Sequence, residues 1–154
     1  MANYYVDSSG LVKRYVAEVG SRWVKTICEP KSRNKINMLS VTKVEIASAF
    51  SRRCREGTLT LDERDTLMTT FLAHCVTQYR VINIDRRILD TAVDLTKQHP
   101  LRAYDAVQLA AAIHVNRALL ARSLPPITFV SADDRLLAAA LAEGLTIENP
   151  NVHP

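Results

Sequence analysis

Four acidic side chains, Asp7, Glu45, Asp105 and Asp133, stand where apolar runs give way to polar turns or helix starts. Asp7 directly follows the short aromatic and β-branched run Asn3–Val6, and Asp133 follows Ile127–Val130 within Ser131-Ala132-Asp133-Asp134. Glu45 lies one helical turn before Ala49, beside Ile46 and Phe50. Asp105 lies one turn before Leu109 and two before Ala112, so both acids border apolar faces. Each has a plain structural explanation taken singly. Asp7 can be a turn acid, Asp133 or Asp134 a helix N-cap, and Glu45 and Asp105 can complement a helix N-terminus. Together they imply chemistry. Carboxylates brought within a few ångströms repel, and either some protonate or a counter-charge joins them. A hard divalent cation such as Mg²⁺ prefers oxygen ligands, keeps waters, and can take a phosphate oxygen. The implied reaction is metal-assisted attack of water on a phosphodiester. Ser8 or Ser9 suits capping or orienting such a shell.

Other constellations are weaker. The histidines at 74, 99, 114 and 153 show neither HxxxH nor HxH spacing, which argues against zinc, and His114 is expected to be packed or capping on its helix. There is no GxxxxGK[ST] and no GxGxxG, so no glycine-rich phosphate cradle is expected. Ser8 or Ser9 as a nucleophile lacks a histidine at readable spacing. Cys28, Cys54 and Cys75 are an odd set without CxxC spacing, and read as buried reduced thiols in a reducing compartment. A phosphoryl-receiver domain wants paired acids after the first strand and a late lysine, and an aspartyl-phosphate phosphatase wants an Asp two residues after the first. Asp7 stands alone and Ser9 occupies that second position.

The elements that must position these acids alternate. Strands are expected over Asn3–Val6, Lys35–Ser40, Tyr79–Ile84, Ile127–Val130 and Leu145–Glu148. Helices are expected from Ser8 or Ser9 to about Val16, over Ser21–Cys28, from a cap at Ser40 or Thr42 to about Glu56, and from Thr60 with Glu63 in a capping box. Further helices follow from Asp85 to about Gln98, from Leu101 or Arg102 to Arg122, and over Asp133–Glu143. Strand–helix alternation predicts an α/β protein: a three-layer α/β/α sandwich with a central parallel sheet of about five strands and helices on both faces. Right-handed crossovers put every strand-to-helix turn at one sheet edge, where open sheets bind ligands. Residues 1–148 read as a single domain and 149–154 as a tail. The helix opened by Thr60 carries Leu61, Leu67, Met68, Phe71 and Leu72. That is more apolar positions than one narrow face requires, and suits core packing first and a partner seam second.

With 154 residues, 47% apolar and 23% charged, the chain is long enough for one self-sufficient core and too apolar for disorder. No apolar run reaches a membrane-spanning length, and the N-terminus shows no basic segment followed by an apolar one, which points to the cytoplasm. The formal net charge of +4 is unevenly placed. Within residues 13–55 there are 11 Lys/Arg against 3 Asp/Glu, a concentration that suits a polyanion. Lys13, Arg14, Lys43, Arg52 and Arg53 are the candidates to hold a nucleic-acid backbone.

These residues resemble a known family. Tyr5-Val6-Asp7-Ser8-Ser9 followed by Leu11-Val12-Lys13-Arg14-Tyr15 looks like the opening of a PIN domain, and Ser40 to Ala49 around Glu45 looks like its second motif. Arg102-Ala103-Tyr104-Asp105-Ala106-Val107-Gln108-Leu109-Ala110-Ala111-Ala112 is similar to the third. Phe129-Val130-Ser131-Ala132-Asp133-Asp134-Arg135-Leu136, with Ala139-Ala140 and Gly144-Leu145, resembles the fourth. Chain length resembles the VapC-type toxins of toxin–antitoxin pairs. That resemblance implies a Mg²⁺- or Mn²⁺-dependent endoribonuclease that cuts RNA, is often a homodimer, and is silenced by a VapB-type antitoxin. Asp7, Glu45, Asp105 and Asp133 would be its catalytic and metal-binding acids, with Ser8 and the Ser131 hydroxyl steadying the shell and Asp134 open as an alternative to Asp133. The alternative is a catalytically silent PIN-like module that binds RNA or a protein.

Overall fold

The structure is a computed structural model that describes residues 1–153. The elements run β1 (Asn3–Val6), α1 (Ser8–Leu11), α2 (Ser21–Cys28), β2 (Lys35–Leu39), α3 (Thr42–Arg55), α4 (Leu61–Thr77) and β3 (Tyr79–Ile82). They continue with α5 (Arg86–Gln98), α6 (Ala103–Leu120), β4 (Ile127–Val130), α7 (Asp134–Ala142) and β5 (Thr146–Glu148). Short 3-10 turns occupy Val12–Arg14, Pro30–Ser32 and Pro150–Val152. All strand pairs are parallel, in the order β3-β2-β1-β4-β5. The three-layer α/β/α expectation is met, with a PIN-like arrangement of helices on both faces of five strands.

Strand alternation divides the interior into two cores. Tyr5, Leu39, Ile127 and Phe129 pack toward α5, α6 and α7, while Val6, Ile36, Met38 and Val130 pack toward α1 to α4. Tyr5 and Phe129 are register partners on neighbouring strands and stack with ring centroids 5.7 Å apart. A parallel strand covered on both faces carries apolar residues at nearly every position, as Val6 and Tyr5 do here.

Local chemistry explains most boundaries. Thr60 accepts from the Glu63 N–H while Glu63 accepts from the Thr60 N–H, the expected capping box. Asp85 caps α5 through the Ile88 N–H. His114 lies 2.8 Å from the Thr91 hydroxyl and joins α6 to α5. All three cysteines are free thiols, two of them buried.

Several boundaries differ from expectation. Asp7, not Ser8 or Ser9, caps the first helix, which ends at Leu11 and tightens into the 3-10 turn instead of reaching Val16. Neither Ser40 nor Thr42 caps α3. Its N-cap is Val41 without a side-chain bond, and the Thr42 hydroxyl accepts from Gln108. β2 and β3 stop together because their pairing ends at Leu39 and Ile82. Leu145 stays outside β5 because its N–H closes α7 on the Ala140 carbonyl. On α4, Phe71 is fully buried and Leu67 and Met68 are partly buried, but Leu61 and Leu72 stay exposed, as does Val76. Among the described residues no helix is long and apolar enough to cross a membrane.

Residues 149–153 are pinned to α2. His153 stacks on Trp23 at 4.5 Å and bonds Glu148, and Pro150 closes over Gly20. Gly20 has φ +83°, and a Cβ there would stand 2.2 Å from the Pro150 carbonyl oxygen. Gly20→Ala is therefore expected to lower stability by about 1–3 kcal/mol and to change the emission of Trp23, the single tryptophan. An unchanged denaturation midpoint with unchanged emission would show that this closure bears no strain.

Candidate active site

The strand order places a switch of winding direction between β1 and β4, since β2 and β3 lie on one side of β1 and β4 and β5 on the other. Crevices of open parallel sheets lie at such points. Asp7 ends β1 here and Ser131 ends β4. The Asp7 backbone N–H still pairs with the Val130 carbonyl, so the carboxylate is fixed by the last rung of the ladder. One Asp7 oxygen accepts from the Gly10 N–H at 2.8 Å and the Ser9 hydroxyl at 2.8 Å. The other accepts from the Ser131 hydroxyl at 2.7 Å. Ser9 and Ser131 are themselves held by the Ala132 and Asp133 N–H groups. Asp7 is 4% exposed.

Burial and bonding oppose each other at Asp7. Desolvation raises its pKa, the Ser131, Gly10 and Ser9 bonds lower it, and the Glu45 charge raises it. The balance lies at about 6, above the ordinary 3.8. Burial therefore outweighs the donors. Among the described residues no Lys or Arg pairs with Asp7, Glu45, Asp105 or Asp133.

Glu45 is held from two sides. Ser8 donates to Oε2 at 2.5 Å, and the Gln108 amide donates to Oε1 at 2.9 Å. Gln108, 2% exposed on α6, also donates to Thr42 and accepts from the Tyr5 hydroxyl at 2.9 Å. Tyr5, Gln108 and Thr42 thus form a fully bonded polar chain through the apolar layer. Asp105 in the first turn of α6 is raised by burial and then by the Asp133 charge, with Arg102 and Arg135 near enough to lower it. Asp133 accepts from the Arg135 and Leu136 N–H groups and caps α7. Asp134 points elsewhere and accepts from Asn149.

The Glu45 charge is thus near enough to raise Asp7, and the Asp133 charge near enough to raise Asp105. Among the described residues no three Asp, Glu, His or Cys side chains converge as a ready metal group. Donor chemistry is all oxygen, and the charge at Asp7 and Glu45 has no internal cation. Both features fit a hard divalent ion.

Beside this edge lies a cleft of about 460 Å³ lined by Ser8, Ser9, Val41, Glu45, Arg52 and Tyr104, among others. Of the five basic residues singled out in the sequence, Arg52 alone lines it. Lys13 is buried and bonds Glu18 at 2.9 Å, and Arg53 meets the same carboxylate. Arg14 donates to Tyr79 and Gln78. Lys43 is half-buried and acts on Cys75 of α4. Sequence reasoning missed Gln108, Tyr104, Arg102 and Arg135. The sequence signal for Gln108 was a lone amide in the apolar run Ala106–Ile113.

The fold and this edge define a PIN-like α/β/α protein. No protein-family model matches the chain, and no curated protein matches it in sequence. Solved structures do match in fold. PAE2754 from Pyrobaculum aerophilum aligns with TM-score 0.65 and 20% identity, covering 98% of this chain and 85% of that one. VapBC2 from Rickettsia felis, bound to a DNA fragment from their promoter, gives 0.64 and 13%, covering 96% and 98%. Mycobacterium tuberculosis VapC20, a Sarcin-Ricin loop cleaving toxin, gives 0.62 and 14%, covering 98% and 99%. At these identities the likeness is one of fold.

Two outcomes follow from the bonding. Because the folded state holds the Asp7 proton more tightly than an unfolded chain does, stability falls as pH rises from about 4 to about 6. Above that window the buried charge costs about 3 kcal/mol. In chelator, Asp7→Asn should raise stability at pH 7 by up to that amount, the gain vanishing near pH 4. A gain independent of pH would contradict the assignment. Gln108→Leu strands the Tyr5 and Thr42 hydroxyls and should cost about 1–3 kcal/mol by urea titration. Combining it with Tyr5→Phe should recover part of that loss, whereas strictly additive losses would dissolve the proposed chain.

Proposed function

We propose that the chain is a metal-dependent endoribonuclease, the toxin of a VapBC-type toxin–antitoxin pair. The observation that carries this reading is Asp7, a carboxylate buried at the sheet's switch point beside Glu45 with no internal cation. Binding a polyanion gains nothing from uncompensated acids unless a cation joins them. The motif order along the chain and the fold shared with a Sarcin-Ricin loop cleaving toxin add support.

Asp7, Glu45 and Asp105 would hold Mg²⁺ or Mn²⁺, directly or through water, with Asp133 completing the shell through water or by orienting a neighbour. When bound, the ion supplies charge neutralisation at the scissile phosphate and lowers the pKa of nearby water. The chain's own residues do the rest. Ser131, Ser9 and the Gly10 N–H fix both Asp7 oxygens, so the carboxylate needs no reorganisation to bind. Ser8 and Gln108 fix Glu45 from opposite sides. Arg52 in the cleft, and the exposed Arg102 and Arg135 near Asp105, are placed to meet phosphates. Hydrolysis by water of this kind leaves a 5′-phosphate and a 3′-hydroxyl. A homodimer and a VapB-type antitoxin belong to the same proposal. The exposed Leu61, Leu72 and Val76 of α4 support it by offering apolar surface beyond the core.

Purified protein should cut RNA with Mg²⁺ or Mn²⁺ and stop on chelation. Asp7→Asn and Asp105→Asn should each lower the rate by about 10²-fold or more, with circular dichroism unchanged. Full activity in either variant, or cutting undiminished in chelator, would reject the mechanism. RNA binding without any cutting would favour the silent module.

A further inference from the structure

The aromatic side chains divide sharply by partnership. Tyr4 packs edge-on to Trp23, Tyr5 stacks on Phe129, and Tyr15 and Tyr79 bond each other and pack with Phe50, Phe71 and His74. Trp23 stacks on His153. Tyr104 is the exception: among the described residues its ring has no aromatic partner, its hydroxyl makes no hydrogen bond, and it is 61% exposed. It is also not adrift on the surface. It lines the cleft beside that sheet edge, one residue before Asp105, with the apolar Val12, Val41, Val44 and Ala49 and the single cation Arg52. Val44 is likewise exposed at 67%.

Resting on the nuclease reading above, we propose that Tyr104 is a stacking platform for one unpaired nucleobase of the RNA, held in this cleft beside the scissile bond. The chemistry of the lining selects that occupant. A free aromatic face with apolar walls suits a flat base, and a base locked in a duplex cannot present its face to it. Arg52 meets the phosphate that accompanies the base, and Ser48, also in the lining, offers a hydroxyl for a base edge. Position then supplies specificity. Tyr104 and Asp105 are neighbours on the first turn of α6, so a base seated on the ring sets which phosphodiester comes to the acids.

The test measures binding, not only turnover. A short fluorescein-labelled single-stranded RNA is titrated into the full chain in chelator, with anisotropy as the readout. Tyr104→Ala should weaken binding about fivefold to a hundredfold, while Tyr104→Phe, which keeps the ring, should bind like the original chain. Duplex RNA of the same length should bind both variants equally. Replacing one nucleotide of the probe by an abasic unit should reproduce the loss for the original chain and add nothing to Tyr104→Ala. Equal single-strand affinity in Tyr104→Ala, or an equal loss on duplex, would overturn the stacking site. If the original chain still cuts RNA in that case, the nuclease reading stands without it. If the original chain neither binds nor cuts RNA, both fall.

Discussion

The hydrogen bond from Ser131 to Asp7 ties together the two halves of the sheet at the one place where the winding reverses. Other features of the edge depend on it. It joins the end of β1 to the end of β4, and through the Asp133 N–H on Ser131 it also sets the entry to α7. Gly10 makes the arrangement sterically possible. A Cβ there would press within 3.1 Å of the Val6 side chain and 3.3 Å of Val130, so α1 lies directly against the strand ends. The Gly10 N–H can then reach Asp7. A carboxylate in this position is satisfied by neutral donors yet keeps its full charge, which is why burial dominates its pKa despite good bonding.

Glu45 is fixed by a different principle. Its partner Gln108 is reached from α6, more than sixty residues away, and Gln108 is itself committed to Tyr5 and Thr42. The polar chain crosses a layer otherwise filled by Ala106, Leu109 and Ala110. Buried amides are tolerated there because every donor and acceptor is used, and the same completeness fixes how α6 sits over β1. Asp105 lies one turn before Gln108 on that helix, so locking the amide also locates Asp105. Two networks thus hold the two acids, Ser9, Ser131 and the Gly10 N–H on Asp7, and Ser8 with the Gln108 amide on Glu45.

Legibility followed the range of the interaction. The order of elements could be read because periodicity is local, and so could the Thr60–Glu63 box and the Asp85 cap, whose partners lie three residues on. Asp7 and Asp133 stood out because they follow apolar runs, and Glu45 and Asp105 because they border apolar helix faces. What escaped was set by distant partners. Lys13 reads as a free cation until Glu18 is folded against it, and Arg53 arrives at the same carboxylate from α3. Asp7 reads as a turn acid, yet it is at once helix cap, strand terminus and acceptor from β4. Residues 149–153 read as a tail because no local signal marks His153 as a stacking partner for Trp23.

That redistribution changes how the basic segment attracts a polyanion. Its charge looks uniform in sequence, but Lys13 and Arg53 neutralise Glu18, and Arg14 is absorbed by Tyr79 and Gln78. These groups brace the Val12–Arg14 turn against α3 and β3, so their side chains are committed to internal contacts. The cations left near the acids come from other elements: Arg52 from α3, Arg102 from the start of α6 and Arg135 from α7. Charges of both signs therefore meet at one sheet edge, with acids inside and arginines outside. On the nuclease reading proposed above, a phosphodiester backbone would be drawn to the arginines and repelled by the acids until a cation joined them. Glu45, Arg52 and the uncharged ring of Tyr104 line the same cleft beside this edge.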